Sequence, residues 1–251
     1  MIEQAARIVR DRYRGPEDHA GLPQELRPQN LAQAYGVQQA VSRELGAIGG
    51  WQICPTGSAP GLASAPLPLG TLYPEPGQLA IARNRRLELA PALAFRIGRS
   101  LAGYDAPFGE GEVAAAIEST HPAVLVLDAD VAGNTEHDPL TAIAESCAAV
   151  SLVYGKGAPG LPGPEMLEVS STRWFGGKHK RILGTVQPGN LLPPLRWLAN
   201  VGAVWGGGLL VGQMVALALA TEKVPVEAGA WMKLVIGRFG KVDIRTGQTA
   251  P

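Results

Sequence analysis

A chain of 251 residues with 46% hydrophobic and 18% charged residues has apolar mass for one full core, as one large domain or a domain with a helical extension. Its 22 Lys+Arg balance 22 Asp+Glu, so its net charge favours neither nucleic acid nor an anionic membrane as partner. With 32 Gly and 21 Pro it suits many strands joined by short turns better than a helix bundle, and its 2 Cys are too few for a disulfide framework, which points to a reducing cytoplasm.

Apolar residues at Ile2, Ala5, Ala6 and Val9 form a helical stripe that predicts a helix over 2–13, ended by Gly15 and Pro16. Glu3, Arg7 and Arg10 in that stretch argue against a secretory signal. Asn30 is placed to cap a second helix reaching Leu45, with Gly46 as its stop. The sequence therefore divides into a helical segment, 1–47, and a larger unit, 48–251, expected to pack together. GGWQICPTG, Gly49–Gly57, reads as a strand, and the Pro-, Gly- and Ser-rich stretch to Gly77 as a long ordered loop.

LELAPALAFRIGRSL, Leu87–Leu101, is the central strand. Its alternation puts Glu88, Ala90 and Ala92 on one face and Leu89, Pro91 and Leu93 on the other. A short helix over 111–119 leads to AVLVLD, a buried strand by its Val and Leu content. Residues 139–153 read as a helix or turn entering a strand, and 170–184 as a strand pair around a basic, solvated tip at 176–181. Val201–Ala220 carries no charge and is long enough to cross a bilayer, but Gly206, Gly207 and Gly208 break it, so a pair of buried strands is expected. His19, His121, His137 and His179 have no metal spacing, and neither a nucleophile elbow nor a phosphate loop is present.

Several of these segments together resemble the fumarylacetoacetate hydrolase superfamily, in particular its branch of 2-keto-4-pentenoate hydratases and 4-oxalocrotonate decarboxylases. The carriers are AYGVQQA (34–40), GGWQIC (49–54), LGTLY (69–73), ALAFRIGRSL (92–101), PAVLVLD (122–128) and GTVQPGNLLPPLRWLAN (184–200), with Asn190 placed to cap and Trp197 to fill the core. The resemblance spans about residues 30–246. It implies an α+β, mostly β fold: a mixed β-sheet roll or barrel with flanking helices behind an N-terminal helical segment.

The family's three metal-binding carboxylates fall at Ala90, Ala92 and Leu125, and its active-site lysine at Gln52. Alkyl groups supply neither the oxygen ligands nor the charge that Mg²⁺ or Mn²⁺ demands, so no metal site and no cofactor are expected. What the resemblance leaves is an atypical homologue, catalytically altered or inactive toward 2-keto acids. Alternatives are a metal-independent lyase, hydratase or tautomerase, of hydro-lyase or carboxy-lyase type, or a non-catalytic subunit of a hetero-oligomer with an active relative. Candidate catalytic residues are the acid–base groups Glu88, Asp128 and Glu145, with Gln52 as a hydrogen-bonding amide. A small-molecule ligand would be lined by Gln52, Ala90, Ala92, Leu125, Ser146 and Gln187. Self-association is expected, since relatives assemble; no nucleic acid or membrane partner is.

Overall fold

The computed structural model describes residues 1–14, 21–56, 61–81, 86–103, 107–132, 138–163, 165–175, 178–186, 191–219, 221, 223–226 and 228–248. Helix α1 (Ile2–Arg14) packs its Ala5, Ala6 and Val9 with Ala34, Val37 and Val41 of α2 (Leu31–Leu45). Asn30 caps α2 as its position suggests: the side chain accepts from the Gln33 N–H at 3.0 Å, and Gly46 ends the helix at φ 96°.

The strands follow as β1 (Ile48–Pro55), β2 (Leu62–Pro68), β3 (Leu72–Pro74), β4 (Gly77–Ile81) and β5 (Leu87–Ile97). After α3 (Glu110–Ala116) come β6 (Ile117–Asp128), α4 (Ala129–Ala132), α5 (Pro139–Ala144), β7 (Ala149–Tyr154) and β8 (Ala158–Pro159). The hairpin β9 (Leu167–Phe175) and β10 (Lys178–Val186) leads through α6 (Leu192–Trp197) to β11 (Met214–Ala218), β12 (Val224–Val226), β13 (Trp231–Ile236) and β14 (Gly240–Gln248).

Among the described residues these strands form two sheets. One has nine strands, ordered β2-β1-β11-β5-β6-β7-β3 with β12 on β5 and β8 on β6; the other runs β10-β9-β13-β14-β4. The larger sheet curls into a half-barrel. Strand alternation divides its side chains as the central strand predicts. Trp51, Leu89, Leu93, Phe95, Val124 and Val126 join Leu234, Ile236, Val242 and Ile244 of the smaller sheet in one core. The opposite, inner face carries Ala90, Ala92, Ala94, Ala123, Leu125, Met214 and Ala216. Beside it α1, α2 and α5 pack over Ala63 and Ala65 of β2.

Two backbone approaches explain glycines in the motifs. A Cβ at Gly50 would lie 2.3 Å from the Met214 carbonyl oxygen, where β1 runs parallel to β11; at Gly155 it would lie 1.8 Å from that of Lys241.

The uncharged run from 201 differs from its expected strand pair. Only β11 pairs as a strand; the first half is spent on helical turns and an isolated bridge, Leu101 to Leu209. Gly207 and Gly208, at φ 91° and 87°, turn the chain where other residues would be strained. The predicted helix at 111–119 is likewise shorter, because the β-branched Ile117 already begins β6. The tip glycines Gly176 and Gly177, and Asn190, lie outside the described residues. Among the described residues no helix is long and apolar enough to cross a membrane.

Candidate functional site on the inner face

The register of four strands assembles the site. Ala90 pairs with Leu125 and Ala92 with Ala123 across β5 and β6, while Ala94 pairs with Ala216 of β11, which in turn pairs with Gln52 of β1. Ala90, Ala92 and Leu125 thus share one face and one apolar cluster, 2%, 0% and 0% exposed. Burying Leu125 alone contributes about 1.5–3 kcal/mol.

A hard dication needs oxygen ligands in near-octahedral array with compensating negative charge. The side chains at these three registers are two methyls and an isobutyl, so they do not fit such an ion. Among the described residues no three His, Cys, Asp or Glu side chains gather in metal-binding proximity.

Gln52 is 4% exposed, and its Oε1 has no hydrogen-bond partner. Gln38 of α2, fully buried, donates from Nε2 to the carbonyl oxygens of Ser64 (2.9 Å) and Ile143, yet its Oε1 is also unpartnered. Leaving such an acceptor unmet costs about 1–3 kcal/mol. A ligand carrying N–H or O–H donors would offset that cost; a carboxylate, which only accepts, would not.

The other acidic candidates have structural partners. Asp128 Oδ1 accepts from the backbone N–H of Asp130 (3.1 Å) and Val131 (3.4 Å) and so caps α4. Glu145 Oε1 accepts from the Leu22 N–H at 2.7 Å and lies 3.9 Å from the Arg12 guanidinium. Burial pushes the Glu145 carboxyl up from its ordinary value, against the opposing pull of Arg12 and the Leu22 N–H. The Asp128 carboxylate adds a lesser electrostatic push in the same direction. Glu88 sits half-buried at the start of β5, opposite Leu127 and Pro225. Gln187 lies outside the described residues.

Ser146 is buried inside a feature with no sequence signal. Ser146, Cys147 and Ala148 adopt φ 57°, 51° and 63°, three successive left-handed residues without a glycine. Each costs roughly 1–2 kcal/mol. Burial of all three under the helical layer over-determines this turn, which sets the Cys147 thiol against Cys54. That cysteine contact, and the orphaned oxygen of Gln38, lie in the helical layer beside the inner face and are features that sequence reasoning missed. Elsewhere, a groove of about 670 Å³ lies on β9, β10 and β13, bordered by Glu168, Arg181 and Leu183; none of the candidate residues lines it.

No family model matches the chain, and no curated protein matches it. Solved structures do. 4-Oxalocrotonate decarboxylase from Pseudomonas putida G7, complexed with magnesium and adipate, superposes at TM-score 0.77 with 19% identity over 98% of this chain and 97% of that one. Its complex with calcium and acetate gives 0.76 and 18%, over 98% and 96%. Fumarylpyruvate hydrolase from Pseudomonas aeruginosa, with Mn²⁺ and pyruvate, gives 0.55 and 12%, over 79% and 89%. The chain has the fumarylacetoacetate hydrolase fold. At these identities the likeness establishes the fold, and the chemistry has to be argued from the residues.

Proposed function

We propose that this protein is an atypical homologue of the hydratase and decarboxylase branch, without the divalent-metal site and altered or inactive toward 2-keto acids. One observation carries the reading: Ala90, Ala92 and Leu125 meet on the buried inner face of β5 and β6, in one apolar cluster. The decarboxylase of the same fold holds magnesium with a dicarboxylate, adipate. Here alkyl groups and a neutral amide, Gln52, stand where the resemblance puts acids and a lysine. The ligand that suits this face is small, uncharged and a hydrogen-bond donor toward Gln52.

The test is a Mn²⁺ titration followed by calorimetry and by thermal melting, together with assays of 2-hydroxypenta-2,4-dienoate hydration and 2-oxohexenedioate decarboxylation. The expected result is no saturable micromolar binding and no turnover, with or without metal. Robust metal-dependent turnover would overturn the reading.

A second reading, a metal-independent lyase using general acid–base groups, draws support from Glu145, whose burial favours the protonated acid. Against it, both the Leu22 N–H and Arg12 already hold that carboxyl. Exposed apolar side chains at Val201, Val204, Leu210 and Val211 support self-association or pairing with an active relative in the cytoplasm. Light scattering at micromolar protein should then show at least a dimer; a clean monomer counts against both assemblies.

A further inference from the structure

The chain has 2 Cys, 93 positions apart, and the fold brings them into contact. Cys54 is near the end of β1, two residues beyond Gln52 and on the same strand face. Cys147 is the middle residue of the left-handed turn after α5, and it is 3% exposed. Both pack in the cluster formed by α1, α2, β2 and α5. The Cys54 thiol donates to the Pro55 carbonyl oxygen at 3.6 Å, and the Cys54 and Cys147 side chains interact with each other.

The pair is asymmetric in access and in acidity. Cys54 is half-buried and Cys147 buried, so an oxidant in solution reaches Cys54 first. The hydrogen bond with Cys147 draws the Cys54 thiol down from its ordinary value, with help from the nearby Lys223 ammonium and against the opposing effect of burial. The same bond, together with burial, raises Cys147. An accessible, more acidic thiol beside a buried, less acidic one is the arrangement of an attacking and a resolving cysteine.

We propose that Cys54 and Cys147 form a peroxide-reactive dithiol that closes to an intrachain disulfide at the edge of the inner face. The Cys54 thiolate attacks one oxygen of hydrogen peroxide, the O–O bond breaks, and a sulfenic acid and hydroxide result; the hydroxide takes a proton to become water. The Cys147 sulfur then attacks the Cys54 sulfur. The S–O bond breaks, the Cys147 proton leaves with the hydroxyl as a second water, and the S–S bond forms. Two thiols are oxidised by two electrons and one peroxide is reduced. The cross-link would tie β1, close to Gln52, to the turn that follows Glu145. It does not depend on the function proposed above, since it needs only the two sulfurs.

The experiment treats the folded full chain with a small excess of hydrogen peroxide, quenches with an alkylating maleimide under denaturing conditions, and reads the intact mass and peptide map. The expected product has lost two hydrogens, carries no maleimide, and yields a linked peptide pair that dithiothreitol separates. In Cys147→Ser, Cys54 should instead gain oxygen and be trapped by dimedone. In Cys54→Ser, Cys147 should stay fully alkylatable over the same time. The proposal is overturned if wild-type Cys54 accumulates oxygen while Cys147 remains alkylatable. It is overturned equally if both thiols survive peroxide sufficient to oxidise free cysteine. The wild-type measurement decides the matter even if a variant fails to fold.

Discussion

The two faces of β1 treat polar side chains in opposite ways. At its start, Gln213 reaches across from the loop before β11. Its Oε1 accepts from Trp51 Nε1 (3.2 Å) and the Leu210 N–H (3.0 Å), and its Nε2 donates to the Ile48 carbonyl oxygen (3.0 Å). Asn200 works in the same manner, accepting from the Phe108 N–H at 2.7 Å and donating to the Phe108 and Arg196 carbonyl oxygens. On the opposite face, next after Trp51, Gln52 is as buried as Gln213, yet its oxygen has no partner. In the first region the amides of Gln213 and Asn200 are satisfied by the chain itself. The second retains a polar group that the chain does not satisfy, among residues trimmed to alanine. A buried unmet acceptor such as Gln52 Oε1 is a place where a ligand is to be sought.

The largest test of this contrast rebuilds the acids. Ala90→Glu, Ala92→Glu and Leu125→Glu together should cost about 5 kcal/mol or more in EDTA, through lost packing and buried unpaired carboxylates. Mn²⁺ should restore stability in proportion to the logarithm of its concentration, while wild type stays indifferent. A triple variant as stable as wild type in EDTA would mean that the three side chains do not share a buried face.

Next in size, Gln213→Ala should cost ~2–4 kcal/mol in urea unfolding, because it strands two donors and an acceptor. A loss below that of an ordinary surface change would remove the distinction between the two regions. Gln52→Met should do the reverse. It removes an unmet acceptor at nearly constant volume, so stability should rise by up to about 1 kcal/mol. A loss comparable to that of Gln213→Ala would show that Gln52 is scaffold too.

The smallest effect concerns Glu145, a buried acid that the chain does satisfy. Its native pKa is raised, chiefly by burial, so in the window between the ordinary 4.5 and the raised value the native state binds more protons than the unfolded one. This contribution is complete below the unfolded pKa and is lost as pH rises through the native one. Stability relative to Glu145→Gln should therefore increase on acidification across that window. A difference independent of pH would mean that the carboxyl is no less solvated in the folded chain.

Much of the scaffold was legible because local rules and tertiary demands agree there. The 3.6-residue stripe of α1, the Asn30 cap and the two-residue alternation of β5 each follow from periodicity and capping chemistry, and each stands in the structure. The strand pair expected from residue 201 onward failed for a tertiary reason. Gly208 is needed against the Leu101 carbonyl oxygen, and Gln213 is pulled into bonds with β1, so only five residues are left to pair as β11. The candidate face could be marked as Ala90, Ala92 and Leu125 from motif positions, but their meeting depends on the β5–β6 register.

What the sequence determined by itself is the alternation, the caps, the glycine positions and the alkyl side chains at Ala90, Ala92 and Leu125, all properties of single residues and near neighbours. What only the tertiary structure decided is which groups separated in sequence share a space. Cys54 and Cys147 meet because a left-handed turn with no glycine is held under α2 and β2. Gln52 lacks a partner because strand neighbours at Ala65 and Ala216 offer methyl groups. A hydrogen bond or its absence depends on positions to within an ångström, and those are set by packing the whole chain.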